Sequence, residues 1–302
     1  MKSKILLIGG AGTLGSDLIP VLSTNNDLFV IDNLLSSVLN RTTISDYADF
    51  FEVDAANSTD FSTTFRLIQP DVVIFLATSM SADQRIAYDS NVGALKNLIS
   101  CAESENLPKI IYVQSFLTRN TAFPISESST YEAKDSYSTW KLAAELLLAS
   151  YSGQHTTVIL SSVISPCLNV GAIPAFTSRI LKNEHIKVTN SQRDYLNPED
   201  FINFMSRLIN SEVWNSCLVV GTGIPTSTSL ILKEVCSALG RSLESVSFEE
   251  IEPAVSDPKV VSLDSSRVQR DFGLTFSSDF SKSIKATVDN FIQTNPVVRL
   301  HH

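Results

Sequence analysis

The chain has 302 residues and a mass of 33.1 kDa, enough to bury a large core as one large domain or two closely joined ones. Apolar residues make up 43% and charged residues 18%, a globular rather than a disordered composition. The net charge of -9 and pI near 5.0 argue against nucleic acid or an anionic membrane as the main partner, so an anionic ligand must be met by a few local cations.

The chain opens on Met-Lys-Ser-Lys and the apolar run Ile5–Ile8, which stops at once in glycines. That is too short for a secretory signal, so Lys4–Ile8 reads as a first strand and the protein as cytoplasmic. Further strands are expected at Leu28–Ile31, Phe50–Val53, Val72–Leu76, Ile110–Gln114 and Thr157–Leu160, with helices starting near Thr13, Ser62, Asn91 and Ser136. Short apolar runs alternating with longer amphipathic stretches predict a doubly wound parallel sheet, a Rossmann-type α/β fold. After about Ser165 the rhythm loosens into short helical pieces at Ala175–Lys182, Pro198–Ile209 and Leu230–Leu239. This predicts a dinucleotide-binding domain over residues 1–165 and a smaller, mainly substrate-binding lobe over 166–302. Residues near 217–220 are expected to return to the main sheet. No repeat or low-complexity tract occurs, nor an apolar run of the ~20 residues a spanning helix needs.

Gly9, Gly12 and Gly15 form a G-x-x-G-x-x-G turn between the first strand and the first helix. Such glycines permit a tight turn and close approach of a pyrophosphate to the helix N-terminus, where Thr13 and Leu14 lie. Alone, the turn reads equally as a flexible connection. Asp32 ends the next apolar run 17 residues beyond Gly15 (32 − 15), where a carboxylate binds a ribose diol. A carboxylate there repels a 2′-phosphate, and Asn33 and Leu34 follow it rather than an Arg. NAD is favoured over NADP, against the alternative of Asp32 as a solvated turn residue.

Ser115 ends the strand at Lys109–Ser115, at the carboxyl edge where open α/β sheets place their ligands. Its plainer reading is a turn cap. Tyr137 and Lys141 stand four apart on one helix face. A lysine ammonium beside a phenol is expected to lower the tyrosine pKa from about 10, tuning it to exchange the proton that accompanies hydride transfer at a carbinol carbon. An ordinary aromatic beside an exposed base is the plain alternative; the set gains meaning from Ser115 and the glycine turn together. The run after Lys141, Leu142–Ala149, is apolar around most of its circumference, which suits a helix buried against the sheet and a second subunit, or wholly within the chain. Cys101, Cys167, Cys217 and Cys236 show no close spacing and read as four buried thiols of a reducing compartment, not a disulfide framework or zinc site. Of four histidines two, His301 and His302, close the chain, and no catalytic metal is expected.

With these residues the chain resembles an extended short-chain dehydrogenase/reductase of the NAD-dependent epimerase/dehydratase group that works on nucleotide sugars. The resemblance runs nearly end to end, through Gly9–Gly15, Asp32, Asp54, Leu76–Thr78, Asn91–Leu98, the set Ser115, Tyr137 and Lys141, and Arg193–Asp200. It implies NAD as cofactor, held by Gly9, Gly12, Thr13, Leu14, Gly15, Asp32, Asn33, Asp54, Ala77, Thr78, Asn91, Tyr137 and Lys141. Asp54 would hold the adenine amino group, and Ala77 with Thr78 would line the nicotinamide ribose. For Asn91 the alternatives are positioning the lysine through water or capping a helix. Arg193 would contact the substrate's diphosphate, or else pair with Asp194. A homodimer is implied as well.

Several residues depart from that pattern. The usual Tyr-Gly after the catalytic strand is replaced within Phe116–Asn120. Phe116 and Leu117 stand where 4,6-dehydratases carry an acidic pair, which argues against dehydration. The Leu-Arg-Pro-x-Asn segment has become Leu160–Cys167, and a second phosphate-binding Arg is missing before Asp257. Arg179, Lys182, Lys187 and Arg267 remain as possible substitutes. The leading expectation is an NAD-dependent enzyme on a nucleotide-activated sugar, a 4-epimerase or a 4-keto reductase. The alternatives are a reductase of a small non-nucleotide ketone and a non-catalytic dinucleotide-binding protein.

Overall fold

A computed structural model describes residues 2–122, 124–254 and 257–295; His301, His302, Val255 and Ser256 lie outside the described residues. In chain order the elements are β1 (Lys4–Ile8), α1 (Thr13–Asn25), β2 (Asp27–Asp32), α2 (Arg41–Ser45), β3 (Asp49–Glu52), α3 (Ser58–Ile68), β4 (Val72–Phe75), α4 (Gln84–Tyr88), α5 (Ala94–Ser104), β5 (Lys109–Ser115), α6 (Ser136–Leu148), β6 (His155–Leu160), β7 (Ser162–Val163), α7 (Ala172–Leu181), β8 (Ile186–Thr189), β9 (Gln192–Leu196), α8 (Pro198–Ile209), β10 (Ser216–Val220), β11 (Pro225–Ser227), α9 (Thr228–Ala238), β12 (Phe248–Ile251), α10 (Ser266–Phe272) and α11 (Ser281–Thr294). They fall into two compact units, the first comprising Met1–Asn120, Glu127–Leu160 and Ile202–Val219, the second Thr121–Ser126, Ser161–Phe201 and Val220–His302.

The first unit is built on a seven-stranded sheet in the order β10-β6-β5-β4-β1-β2-β3. The pairs from β3 through β6 run parallel. Their Val, Ile and Leu side chains are shielded on both faces, as a helix-covered sheet requires. Leu6, Ile8, Val73, Phe75, Ile110 and Tyr112 pack with Phe61 and Phe65 of α3 and Leu95 and Leu98 of α5. Each fully buried Leu or Phe there contributes about 1.5–3 kcal/mol. The strand order reverses between β1 and β4, which opens the sheet at their carboxyl ends.

Two helix starts in the first unit differ from expectation, and both differences are capping effects. The helix expected from Ser62 begins at Ser58, because the Asn57 side chain accepts from the Thr59 and Asp60 amides. The helix expected from Asn91 begins at Gln84, where Asp83 accepts from the amides of Arg85 and Ile86. A single π turn, Asp89–Gly93, then joins α4 to α5, so Asn91 lies inside a helical segment and does not cap one.

The second unit carries two small sheets, β11-β9-β7 and β12-β8. Its core gathers Ile173, Phe176 and Ile180 of α7, Ile231, Leu232 and Val235 of α9, and Phe280, Ile284 and Val288 at α11. Asp194 on β9 is its internal anchor. The carboxylate accepts from the amides of Thr222, Gly223 and Leu263 and from the Thr222 hydroxyl, 2.8–2.9 Å each.

Candidate active site

The turn after β1 is shaped by steric necessity at two of its glycines. Gly9 has φ +79, and a Cβ there would lie 2.5 Å from the Ala77 nitrogen. A Cβ on Gly15 would lie 2.1 Å from the Gly10 carbonyl oxygen, so this glycine lets α1 leave the turn closely. Gly12 differs. Its Cβ would meet only the Gly9 carbonyl oxygen, at 3.4 Å, so the fold itself tolerates a side chain there. Gly12 caps α1 without a side-chain bond, leaving the first-turn amides of the helix bare. Bare amides, the positive end of a 13-residue helix and no Cβ fit a pyrophosphate.

Asp32, at the end of β2, accepts from the Ala11 amide at 2.9 Å and from the Leu34 amide at 2.8 Å. Burial pushes its carboxyl above the usual carboxylate range, and these two amides oppose that rise. A carboxylate offers about four acceptor positions, so two remain for a ribose diol. Asn33 follows it and accepts from the Leu35 amide at 3.2 Å. Asp54, after β3, is exposed and accepts from the Ala56 amide at 2.9 Å. Asn97 steadies that loop through the carbonyls of Ala55 and Ala56.

The residues after β4 and β5 meet at the carboxyl edge of the sheet. The Tyr137 hydroxyl lies near enough to the Ser115 and Thr78 hydroxyls for both to act on it. Thr78 donates in turn to Asn91 Oδ1 at 2.8 Å. The buried Asn91 amide donates to the carbonyls of Ser79 (3.1 Å) and Ala87 (2.8 Å). Asn91 therefore fixes the Thr78 hydroxyl that stands beside the phenol, a link that the spacing of these residues does not reveal. Ser115 also plays its plainer part, its hydroxyl accepting from the Leu117 amide at 3.2 Å to cap the 3₁₀ turn Phe116–Thr118. At the other end, Asp135 and Ser138 form a capping box that sets where α6 begins, one residue before Tyr137 is presented.

The expected lowering of the tyrosine pKa is not found. Burial of the phenol pushes Tyr137 above its ordinary value, only partly opposed by the hydrogen bonds from Ser115 and Thr78. Lys141 turns inward instead, donating to the Val113 carbonyl at 2.7 Å with its Nζ 4.3 Å from the Tyr112 ring centroid. Burial lowers the ammonium to about 7, although the Glu145 carboxylate opposes the drop. Desolvation outweighs the charge effect that the four-residue spacing suggested.

In the second unit Arg193 is mostly buried, with 13% of its side chain exposed. It donates to the Gln192 carbonyl and forms an ion pair with Asp257, not with its neighbour Asp194. Among the described residues no group of His, Cys, Asp and Glu is arranged to hold a metal ion. No helix among them is long and apolar enough to cross a membrane.

The sequence profile described as the NAD dependent epimerase/dehydratase family matches residues 5–220. A UDP-glucose 4-epimerase of Mycolicibacterium smegmatis is 23% identical over 310 residues, covering 95% of this chain and 98% of that protein. Among solved structures, the Bordetella bronchiseptica enzyme WbmG in complex with NAD and UDP superposes with a TM-score of 0.88 at 23% identity, covering 97% and 96% of the two chains. The dTDP-glucose 4,6-dehydratase of Bacillus anthracis, in complex with NAD, reaches 0.85 at 15% identity over 99% and 100%. The architecture is thus common to the enzyme WbmG and to a dTDP-glucose 4,6-dehydratase.

Proposed function

The chain belongs to the NAD dependent epimerase/dehydratase family, and from that premise we propose that it is an NAD-dependent enzyme acting at the C4 carbinol of a nucleotide-activated sugar, as a 4-epimerase or a 4-keto reductase. The observation that carries this reading is the gathering of the Tyr137, Ser115 and Thr78 hydroxyls at the sheet's carboxyl edge, one helical turn from the buried Lys141. The UDP-glucose 4-epimerase relative and the UDP-bound neighbour favour a UDP-sugar. Phe116 and Leu117, on the 3₁₀ turn after Ser115, offer no group able to protonate or abstract at neighbouring sugar carbons, which favours C4 redox chemistry over 4,6-dehydration.

NAD bound on the β1–α1 turn would supply the hydride acceptor and donor. Tyr137 exchanges the proton of the sugar hydroxyl, Ser115 orients that oxygen, and Lys141 holds positive charge behind the site. With its phenol raised, Tyr137 is poised in the acid form that returns a proton to a keto oxygen. The Gly9–Gly15 turn, Asp32, Asn33, Asp54, Ala77 and Thr78 are the groups we assign to the dinucleotide. Asp32→Ala is expected to weaken NAD binding and to relax discrimination against NADP, measured as the ratio of the two dissociation constants. An unaltered ratio removes Asp32 from the cofactor site.

Proton NMR with NAD and a panel of UDP-, dTDP- and GDP-sugars, alongside nicotinamide absorbance, tests the reaction. An epimer formed without net cofactor change identifies an epimerase; stoichiometric cofactor change identifies a reductase; silence across the panel despite NAD binding overturns the nucleotide-sugar reading. We assign Arg193 to the substrate diphosphate, for which its guanidinium would exchange Asp257 for phosphate oxygens. Arg193→Ala should then cost about 1.5–3 kcal/mol of substrate affinity. The alternative of a small ketone, favoured by that existing Asp257 pair and the missing second Arg, predicts almost no change. We also read the enzyme as a cytoplasmic homodimer. Four free cysteines, Cys101 and Cys236 buried but Cys167 and Cys217 only partly so against expectation, support a reducing compartment, and Leu146, 54% exposed on the apolar helix α6, supports a second subunit. Light scattering that returns the 33.1 kDa of one chain would remove the dimer.

A further inference from the structure

Beneath the Ser115–Tyr137–Lys141 set lies a buried polar network that the reaction described above does not use. Arg119 and Glu145 form an ion pair through both terminal guanidinium nitrogens, with only 2% and 8% of their side chains exposed. The Arg119 guanidinium also stacks 4.5 Å from the Tyr131 ring centroid and donates to the Thr118 hydroxyl at 2.8 Å. That hydroxyl donates to the Ser115 carbonyl at 2.8 Å. On the other side, the Gln114 carboxamide makes a three-way bridge. Its oxygen accepts from the Ser115 amide at 2.8 Å, and its nitrogen donates to the Lys141 carbonyl at 3.0 Å and to Glu145 Oε2 at 2.7 Å. Tyr112 adds a second bond to the Lys141 carbonyl at 3.1 Å.

Two closed paths therefore run from Ser115 to the Lys141 helix, one through Thr118, Arg119 and Glu145, the other through Gln114 alone. Both Glu145 oxygens and both terminal Arg119 nitrogens are bonded along them. Arg119 lies within the segment where the family's Tyr-Gly is missing, so the departure that looked like a loss introduces a cation that reaches α6. A buried pair of this kind is a poor source of net stability, because its attraction barely exceeds the desolvation of both charges. Its persistence calls for another role. We propose that Arg119, Glu145 and Gln114 are positioning residues that fix Ser115 and Lys141 relative to one another and keep a carboxylate one turn from the lysine. The inference rests on reading Ser115 and Lys141 as catalytic.

The groups facing the Lys141 ammonium are Tyr112 from β5 and Glu145 from α6, with Arg119 behind Glu145. Asp89 and Lys96, on the helical segments packed against α6, stand at the surface. Removing the Glu145 carboxylate takes away the one charge that supports the ammonium, so Lys141 must lose its proton at lower pH.

The test uses the paired variant Arg119→Met/Glu145→Gln, which removes both charges and strands neither. Glu145→Gln alone is the second variant, should the pair not fold. The lysine is followed by NMR of protein labelled at lysine ¹³Cε, and NAD affinity by calorimetry. The expected result is a cooperatively folded variant with unchanged NAD affinity, a Lys141 titration moved below about 7, and a kcat lowered on the order of 10–100-fold with little change in KM. A folded variant whose Lys141 titration stays in place, or whose kcat matches wild type, overturns the proposal. If the wild-type protein turns over no sugar, the lysine titration alone decides, so failure of the proposed function is distinguishable from failure of the network.

Discussion

Tyr137→Phe is expected to lower turnover by roughly 10²–10⁴-fold while NAD affinity stays nearly unchanged. The phenol is the only titratable member of the trio it forms with the Ser115 and Thr78 hydroxyls, so proton exchange at the sugar oxygen has no other outlet there. The substitution keeps the ring and removes one oxygen. It removes a hydroxyl lying beside those of Ser115 and Thr78, a polar contact worth at most about 0.5–1.5 kcal/mol, so the variant should fold with slightly reduced stability. Thr78 and Asn91 remain bonded to one another, which preserves the loop after β4. The cofactor's phosphate seat on the β1–α1 turn is likewise untouched. The measurement is NMR-detected turnover of the sugar identified in the panel, with calorimetric titration of NAD. Equal loss of turnover and NAD affinity would mean a general disturbance of the site, and unchanged turnover would sink the assignment of Tyr137.

Much of the first unit was legible because its strands are short, apolar and punctuated. The run Lys4–Ile8 coincides with β1, and Cys217 to Val220 falls within β10, which pairs beside β6. Expected and observed helix starts part company where a polar cap, Asn57 or Asp83, lies upstream of the first clear apolar residue. In the second unit, β7, β11 and β12 are two to four residues long, too short for alternation to register. The helix α11 was missed because its apolar face, Ile284 and Val288, is diluted by Ser, Lys, Thr and Asp.

At the candidate site, local motifs were readable and partners were not. Arg193 was expected to face either a ligand or Asp194, its neighbour in sequence. The structure places it on Asp257, 64 residues away, while Asp194 serves backbone amides. Arg119 was visible as a departure from the family, but its partner Glu145 lies 26 residues on, across a strand-to-helix contact. The tyrosine pKa was misjudged for the same reason. Spacing reports which side chains share a helix face, whereas the solvent they lose depends on what packs over that face.

That same desolvation leads to the second large effect, on stability. Lys141→Met is expected to abolish turnover yet to stabilise the fold at pH 7 by about 2–4 kcal/mol. The lysine falls from 10.5 in the unfolded chain to about 7 in the folded one, equivalent to about 5 kcal/mol of penalty on the buried ammonium. Methionine removes the penalty and fills most of the volume. It also leaves the Val113 carbonyl without its 2.7 Å donor, which costs about 1–3 kcal/mol and sets the net gain. The sign with pH follows from proton counting. Between about pH 7 and 10.5 the unfolded chain binds more protons than the folded one, so wild-type stability rises with pH across that window. The variant has no such group and lacks this rise. Its advantage should therefore be full below pH 7 and shrink steadily toward pH 10.5. Urea unfolding of both proteins at pH 6, 7, 8.5 and 10 measures the difference. A constant difference across that range would mean that the ammonium is solvated and free of the penalty. A variant less stable than wild type at pH 6 would mean that the bonds of Lys141 outweigh its desolvation. The predicted crossing of interests, a residue that weakens the fold where it serves the reaction, is what a buried base at a functional site entails.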